Sequence, residues 1–525
     1  MLVAAVFSLT PVVDAATRPT LPQTFDVGYA APHGRTLTVN SGGNLQTALN
    51  DAQLGDTIVL RAGATFEGPF TLPRKTSGTG WIYIQSSAYA SLPAPGNRVT
   101  PDNAAAMPRI VVKATGLSAI FTADGAHHFR FVGIEISPTA DNRVSSLVRL
   151  GNDDTSTATL PNWIVFDRCY IHGDAVAGSR RGIQMNGAYI AVVDSYVADF
   201  KEVGADTQAL AAWNATGPIK IVNNFLEGAG ENIIFGGADS KSAALVPSDI
   251  EIRNNHVFKR LSWIGTNWTV KNLLEFKSAQ RVLVANNTFE NVWPAAQTGW
   301  AMLISPRNQD GAATWSVTRD ITVESNVWLN VGQGLRVGGT DDTFPSLRTE
   351  RVRIANNLIH VTGLENADGK MFGVLLGPVD LVIDHNTGFA TGANSAFMST
   401  ENIPKADRFE FTNNIVQNAT YGFKGTGVAD GLDTLNAHFA NYVFQMNAIV
   451  GGNAAVYPPN NFFPANVGSV RFIDVTNGNV RLSATSPYRN AGTDGKDLGA
   501  NIAAILEVAA RAAPSPSPPS GLSVE

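Results

Sequence analysis

Apolar and polar residues alternate with a period of two through the middle of the chain, and each alternating run breaks at a polar pair that usually contains Asn. The pattern reads IKIVNNFLE around Asn223 and Asn224, IEIRNNHVF around Asn254 and Asn255, and VLVANNTFE around Asn286 and Asn287. It returns as ITVESNVWL at Asn326, VRIANNLIH at Asn356 and Asn357, LVIDHNTGF at Asn386 and FEFTNNIVQ at Asn413 and Asn414. The last Asn of each copy recurs at intervals of 31, 32, 39, 31, 29 and 28 residues. A period near 30 that tolerates insertions indicates stacked supersecondary units. Period-two alternation rich in Val, Ile and Phe makes each unit strand-like, since helices need apolar spacings of three and four. Asn tolerates the left-handed backbone of a tight corner, and stacked Asn side chains can bond from coil to coil.

A second short strand follows each corner, as in Asn232 to Gly236, Leu273 to Lys277, Ala301 to Ser305 and Gly334 to Gly338. Upstream, Phe129 to Ser137, Trp163 to Ile171 and Ala188 to Val197 read as degenerate coils of the same stack. The fold class expected is all-β, a right-handed parallel β-helix. Residues 17–60 form a lead-in and cap, with a helix over Asn44 to Asp51 that lays Leu45, Ala48 and Leu49 on the open first coil. The β-helix itself is assigned to 61–510, and the Pro/Ser-rich residues 511–525 read as a linker or tail. Residues 1–16 have the apolar core and small-residue end of an export signal, so the protein is expected outside the cell or in a periplasm.

Composition narrows the function. The net charge is −6 with no long run of Lys or Arg, which disfavours a nucleic-acid partner. No stretch is apolar for long enough to span a membrane, and a monomer is expected. The single cysteine, Cys169, excludes an intramolecular disulfide and follows an apolar run, so it reads as a buried small hydrophobe. GxxxxGK[ST] and HExxH are both absent.

In a parallel β-helix, equivalent outward positions of successive coils stack about 4.8 Å apart. Lining up the second strands with Phe276 and Val337 inward turns Glu275, Lys277 and Arg336 outward, with Arg307 on the intervening coil. Five of the nine tryptophans, at 263, 268, 293, 300 and 315, lie in the loops around these strands. Aromatic faces beside charges suit a sugar chain. Lys277, Arg307 and Glu275 are therefore the catalytic candidates, and Arg336, Asn308, Trp268, Trp300 and Asp239 the substrate-binding ones. A solvated salt-bridge ladder is the bland alternative.

The segment ExKSxxxVxxNTF, Glu275 to Phe289, followed one coil later by Met302 to Arg307, resembles the β-helical polysaccharide lyases of the chondroitinase B and alginate lyase group, within the pectin-lyase-like superfamily. The resemblance implies β-elimination on an acidic polysaccharide, with Lys277 as general base, Arg307 assisting, and a calcium ion neutralising the uronate carboxylate. The family's acidic ligands before the Lys are missing here, where Val270 and Asn272 stand. Glu231 and Asn232, with Asp239, one coil earlier, are then the metal candidates. Two other functions stay open: a glycoside hydrolase drawing a carboxylate pair from Asp206, Glu231, Asp239 and Glu275, or a non-catalytic carbohydrate-binding or adhesive β-helix.

Overall fold

A computed structural model describes residues 15–113 and 116–512. Residues 1–14, expected to belong to an export signal, and the tail residues 513–525 lie outside the described residues. The chain winds as a right-handed parallel β-helix with three long sheets of 14, 12 and 13 strands. From His127 onward, the strand of each coil in the 14-stranded sheet passes through a two-residue corner into the 13-stranded sheet. The chain then crosses a loop to the 12-stranded sheet and returns. Side chains facing inward from all three sheets form one continuous core, in which Phe129, Phe166, Phe235, Phe276 and Phe372 are buried.

The corner divides two tasks between its two residues. The first takes the left-handed backbone: φ is 57° at Asn223 and Asn254, 58° at Asn286 and Ser325, and 56° at Asn356. The second points inward and builds a ladder. Asn224, Asn255, Asn287, Asn326, Asn357, Asn386 and Asn414 each donate an amide N–H to the Asn Oδ1 of the next coil at 2.9–3.0 Å. The ladder runs on through Asn447 to Asn461. Toward the N-terminus it degenerates to Ser195 and Cys169, whose backbone N–H donates to Ser195 Oγ at 3.0 Å. Cys169 is buried as expected, and burial pushes its thiol up to about 12.

Helix α1, Leu45–Asp51, closes the first coil: Asn44 caps it and Leu45 and Leu49 enter the core. Strands begin at Thr36, ahead of the boundary at 61, because the chain enters the 14-stranded sheet on both sides of this helix. At the other end the three-sheet coil stops at Val450. The rest is an outer cover. An antiparallel pair, Phe472–Asp474 with Asn479–Leu482, and the helix Ile502–Ala512 fold back, so that Val480, Ile502 and Ile505 pack on Val327, Leu358 and Phe389. The sequence reading of 61–510 as one β-helix is corrected accordingly, since these residues cover a sheet instead of extending it.

Residues 17–30, read as a lead-in, form an extended strap across the 14-stranded sheet together with Ala16, which the sequence reading placed at the end of the export signal. The amides of Thr17, Thr20 and Gln23 donate to Asp380, Asp320 and Asp249 at 2.9, 3.0 and 2.9 Å. These aspartates stand on every second coil. Each is gripped by two guanidinium nitrogens from the next coil, of Arg408, Arg351 and Arg281, at 2.7–2.9 Å. The spacing has a physical reason: Pro19 and Pro22 favour a chain that rises about 9.3 Å per three residues, and two coils rise about 9.6 Å. Phe25 then packs edge-on against Trp163 and Tyr189, and the Tyr29 hydroxyl bonds Asp167.

Candidate active-site groove

The 12-stranded sheet puts Ile234, Glu275, Leu303, Arg336 and Gly373 in one row across five coils. Phe276 and Val337, next to Glu275 and Arg336, are core residues, so the row faces outward as the alternation requires. Leu303 forms an apolar step between the Glu275 carboxyl and the Arg336 guanidinium. A groove of about 420 Å³ opens over this step, lined by Asp206, Lys271, Glu275, Lys277, Arg307 and Arg336 among others. Arg336 also borders an adjoining cavity of about 680 Å³, with Trp300, Gln333, Lys370, Tyr421 and Lys424 on its walls.

Lys277 follows its strand in a turn where its N–H donates to Phe235 O at 2.7 Å and its carbonyl accepts from Arg307 N at 2.8 Å. Gly236, on the preceding coil, has φ +98°, and a Cβ there would stand 2.7 Å from Lys277 Cβ. Glycine leaves the lysine room. The Lys277 ammonium lies 3.8 Å from Glu275 Oε1 and donates no hydrogen bond to any described residue. Glu275 is 5% exposed. Burial pushes its carboxyl up to about 7; Lys277 opposes that shift and Glu231 reinforces it.

Arg336 has no hydrogen-bonded or ion-paired partner among the described residues, and burial holds its guanidinium below the usual arginine range. Arg307, by contrast, is anchored at the rim by Asp341 at 3.0 Å and Asp342 at 2.5 Å. Lys277 and Arg336 are therefore two cations with unengaged donors facing one groove. An empty solvated salt-bridge ladder does not describe this pair.

The residues present do not fit a calcium ion. Lys271 puts an ammonium 2.5 Å from Asp206 and 3.7 Å from Glu231, so a positive charge already lies between the carboxylates that would ligate a metal. Burial opposes that charge, but Glu231 and Asp206 hold the ammonium above the ordinary lysine range. Asn232 offers nothing further, because its Oδ1 accepts from the buried Lys259 ammonium at 2.8 Å. Lys259 also donates to the carbonyls of Gly228, Ala229 and Gly230 at 2.5–2.9 Å. Among the described residues no three His, Cys, Asp or Glu side chains are grouped to hold a metal.

The remaining sequence candidates divide. Trp300 lines the adjoining cavity and its ring reaches Gly373, where a Cβ would meet it at 2.8 Å, so glycine leaves the ring room. Asn308 is corrected to a structural residue: it is fully buried, donating to Pro345 O and accepting from Ala313 N, both at 2.8 Å. Asp239 accepts from the amides of Gln309 and Asp310, which ties two loops together. Trp268 packs with Trp263, Trp293 and Val270 over the flank. Lys271, Gln333 and Lys370 were missed in the sequence, because they sit at or beyond strand ends where alternation gives no facing.

The fold is shared by solved structures of low identity. A PL6 family alginate lyase, AlyGC, superposes with a TM-score of 0.52 at 14% identity, over 88% of this chain and 57% of that one. A mannuronic acid specific family 6 polysaccharide lyase from human gut microbiota gives 0.51 at 12% identity, over 80% and 88%. This chain shares their parallel β-helix fold. A catalytic unit of a GH87 α-1,3-glucanase from Streptomyces thermodiastaticus scores 0.47 at 13% identity, over 85% and 72%. No protein family matches the sequence, and no curated protein does. No helix among the described residues is long and apolar enough to cross a membrane.

Proposed function

We propose that the protein is a secreted polysaccharide lyase that cleaves a uronate-containing chain by β-elimination in this groove. The observation that carries the reading is the pair of unengaged cations, Lys277 and Arg336, on either side of an apolar step. Removing a proton alpha to a carboxylate needs that carboxylate neutralised and a base beside the carbon. Arg336 meets the uronate carboxylate through paired N–H donors, a geometry suited to guanidinium. Lys277 takes the proton, a carbon–carbon double bond forms as the C–O bond to the leaving sugar breaks with its electron pair on the oxygen, and Lys277 returns a proton to that oxygen to give the free hydroxyl. Arg307, stacked one coil after Lys277, faces the leaving oxygen.

A base must first be uncharged. Glu275, 3.8 Å from the Lys277 ammonium, is the carboxylate placed to take up its proton, and burial raises that carboxyl toward neutrality. Lys271 supplies fixed positive charge, so no step is routed through a metal. The family 6 lyases that share the fold support the same reading, as does Trp300 on the wall of the cavity beside Arg336.

Hydrolysis is the second reading, favoured by Glu275 itself: a carboxyl raised toward neutrality is what a general acid requires. Mass spectrometry of the products separates the two. Elimination yields fragments whose masses sum to that of the substrate, whereas hydrolysis adds one water per cleavage. Water-added products from every acidic polysaccharide cleaved would overturn the lyase reading, and binding without products would leave a carbohydrate-binding β-helix.

A further inference from the structure

The strap ends on a carboxylate that differs from the others beneath it. Asp249, Asp320 and Asp380 each face an arginine of the next coil. Glu410 is instead flanked in register by Val382 and Val443. Its side chain is 10% exposed, and among the described residues the one cation paired with it is Arg18 of the strap, 53% exposed, at 2.7 Å on Oε2. Its other oxygen, Oε1, accepts the backbone nitrogen of Ala16 at 2.8 Å. Ala16 is buried whereas Ala15 is exposed, so the strap docks from residue 16 onward.

The peptide bond at this boundary follows Val13-Asp14-Ala15, the small-residue pattern that closes the apolar segment from Met1. We infer that Ala16 is the first residue of the working protein, and that its α-ammonium closes the strap as an ion pair with Glu410. The step is a hydrolysis by a peptidase that removes export signals. Water adds across the Ala15–Ala16 amide, the C–N bond breaks, Ala15 keeps the oxygen as a carboxylate, and the Ala16 nitrogen gains protons to become an ammonium. An amide donor on a largely enclosed carboxylate is thereby replaced by a full positive charge, a stronger hydrogen bond in the same place.

This inference is independent of the chemistry in the groove. Only exposed Ala15 and residues before it are lost, so the strap needs no rearrangement.

The full chain is expressed in an exporting bacterial host, and the exported protein is examined by intact mass and N-terminal sequencing. The expected first residue is Ala16; any other mature N-terminus overturns the inference. The Ala16-start protein and its Glu410→Gln variant, which keeps the shape and removes the charge, are then exposed to an aminopeptidase. Release of Ala16 is expected to be at least tenfold faster from the variant, while a version carrying Gly-Ser ahead of Ala16 loses those two residues at one rate on either background. Equal release of Ala16 from the two Ala16-start proteins overturns the ion pair.

Discussion

Asn287 tests whether the internal ladder, and not the corner turn, makes asparagine necessary at these positions. Its Oδ1 accepts from both Asn255 N and Asn255 Nδ2 at 2.9 Å, and its Nδ2 donates to Ile252 O and Asn326 Oδ1 at 2.9 Å. Asn287→Ala leaves two buried donors of Asn255 without an acceptor. At about 1–3 kcal/mol for each orphaned group, the loss is ~4 kcal/mol. Its neighbour Asn286 is the control: it has φ 58° and is only half-buried, so Asn286→Ala meets chiefly the left-handed strain of about 1–2 kcal/mol. Urea unfolding of both variants gives the comparison, with hydrogen exchange at the Asn255 and Asn287 amides to localise the damage, since stacked coils can open separately. If Asn286→Ala costs as much as Asn287→Ala, or if exchange at Asn255 is unchanged, the ladder argument is wrong.

Three further outcomes follow from the same contacts. The Glu275 carboxyl is raised above its ordinary range, so its contribution to stability is present below about pH 4.5 and lost as pH rises through about 7. Glu275→Gln should therefore gain stability relative to wild type between those values, read as melting temperature against pH, and a flat difference refutes the shift. Lys259→Met removes an ammonium from three carbonyls and Asn232 and should cost ~3 kcal/mol or more in urea unfolding, with faster amide exchange around Gly228 to Asn232. Arg336→Ala should lower kcat/KM on an acidic polysaccharide by at least tenfold without changing the melting temperature by more than about 2 °C, because the guanidinium has no hydrogen-bonded or ion-paired partner among the described residues; a large drop in melting temperature contradicts that.

The stack of coils was legible because every coil repeats one pattern: alternation reports facing, and an Asn must recur wherever the ladder needs both a donor and an acceptor. The outward facing of Glu275 and Arg336, with Lys277 just beyond the same strand, came from the same logic. Asn308 and Asp239 misled because a polar residue in a loop looks the same whether its partner is a sugar or the amide of the next loop. The strap was overlooked although proline recurs at 19 and 22, since its partners lie more than 200 residues away and pair through backbone N–H groups that any residue supplies. Lys259 and Lys271 were invisible for a related reason: each is fixed by carbonyls or carboxylates contributed by other coils, and nothing near either lysine in sequence announces those partners.

The central claim is elimination at Lys277. Purified protein is incubated with a panel of uronate polysaccharides, and absorbance is followed in the ultraviolet band of the unsaturated uronate, for wild type and Lys277→Ala, with calcium and with a chelator. The account predicts a rising trace on at least one substrate that persists in chelator and is absent in Lys277→Ala. A rise that survives Lys277→Ala, or a flat wild-type trace across the whole panel, contradicts it.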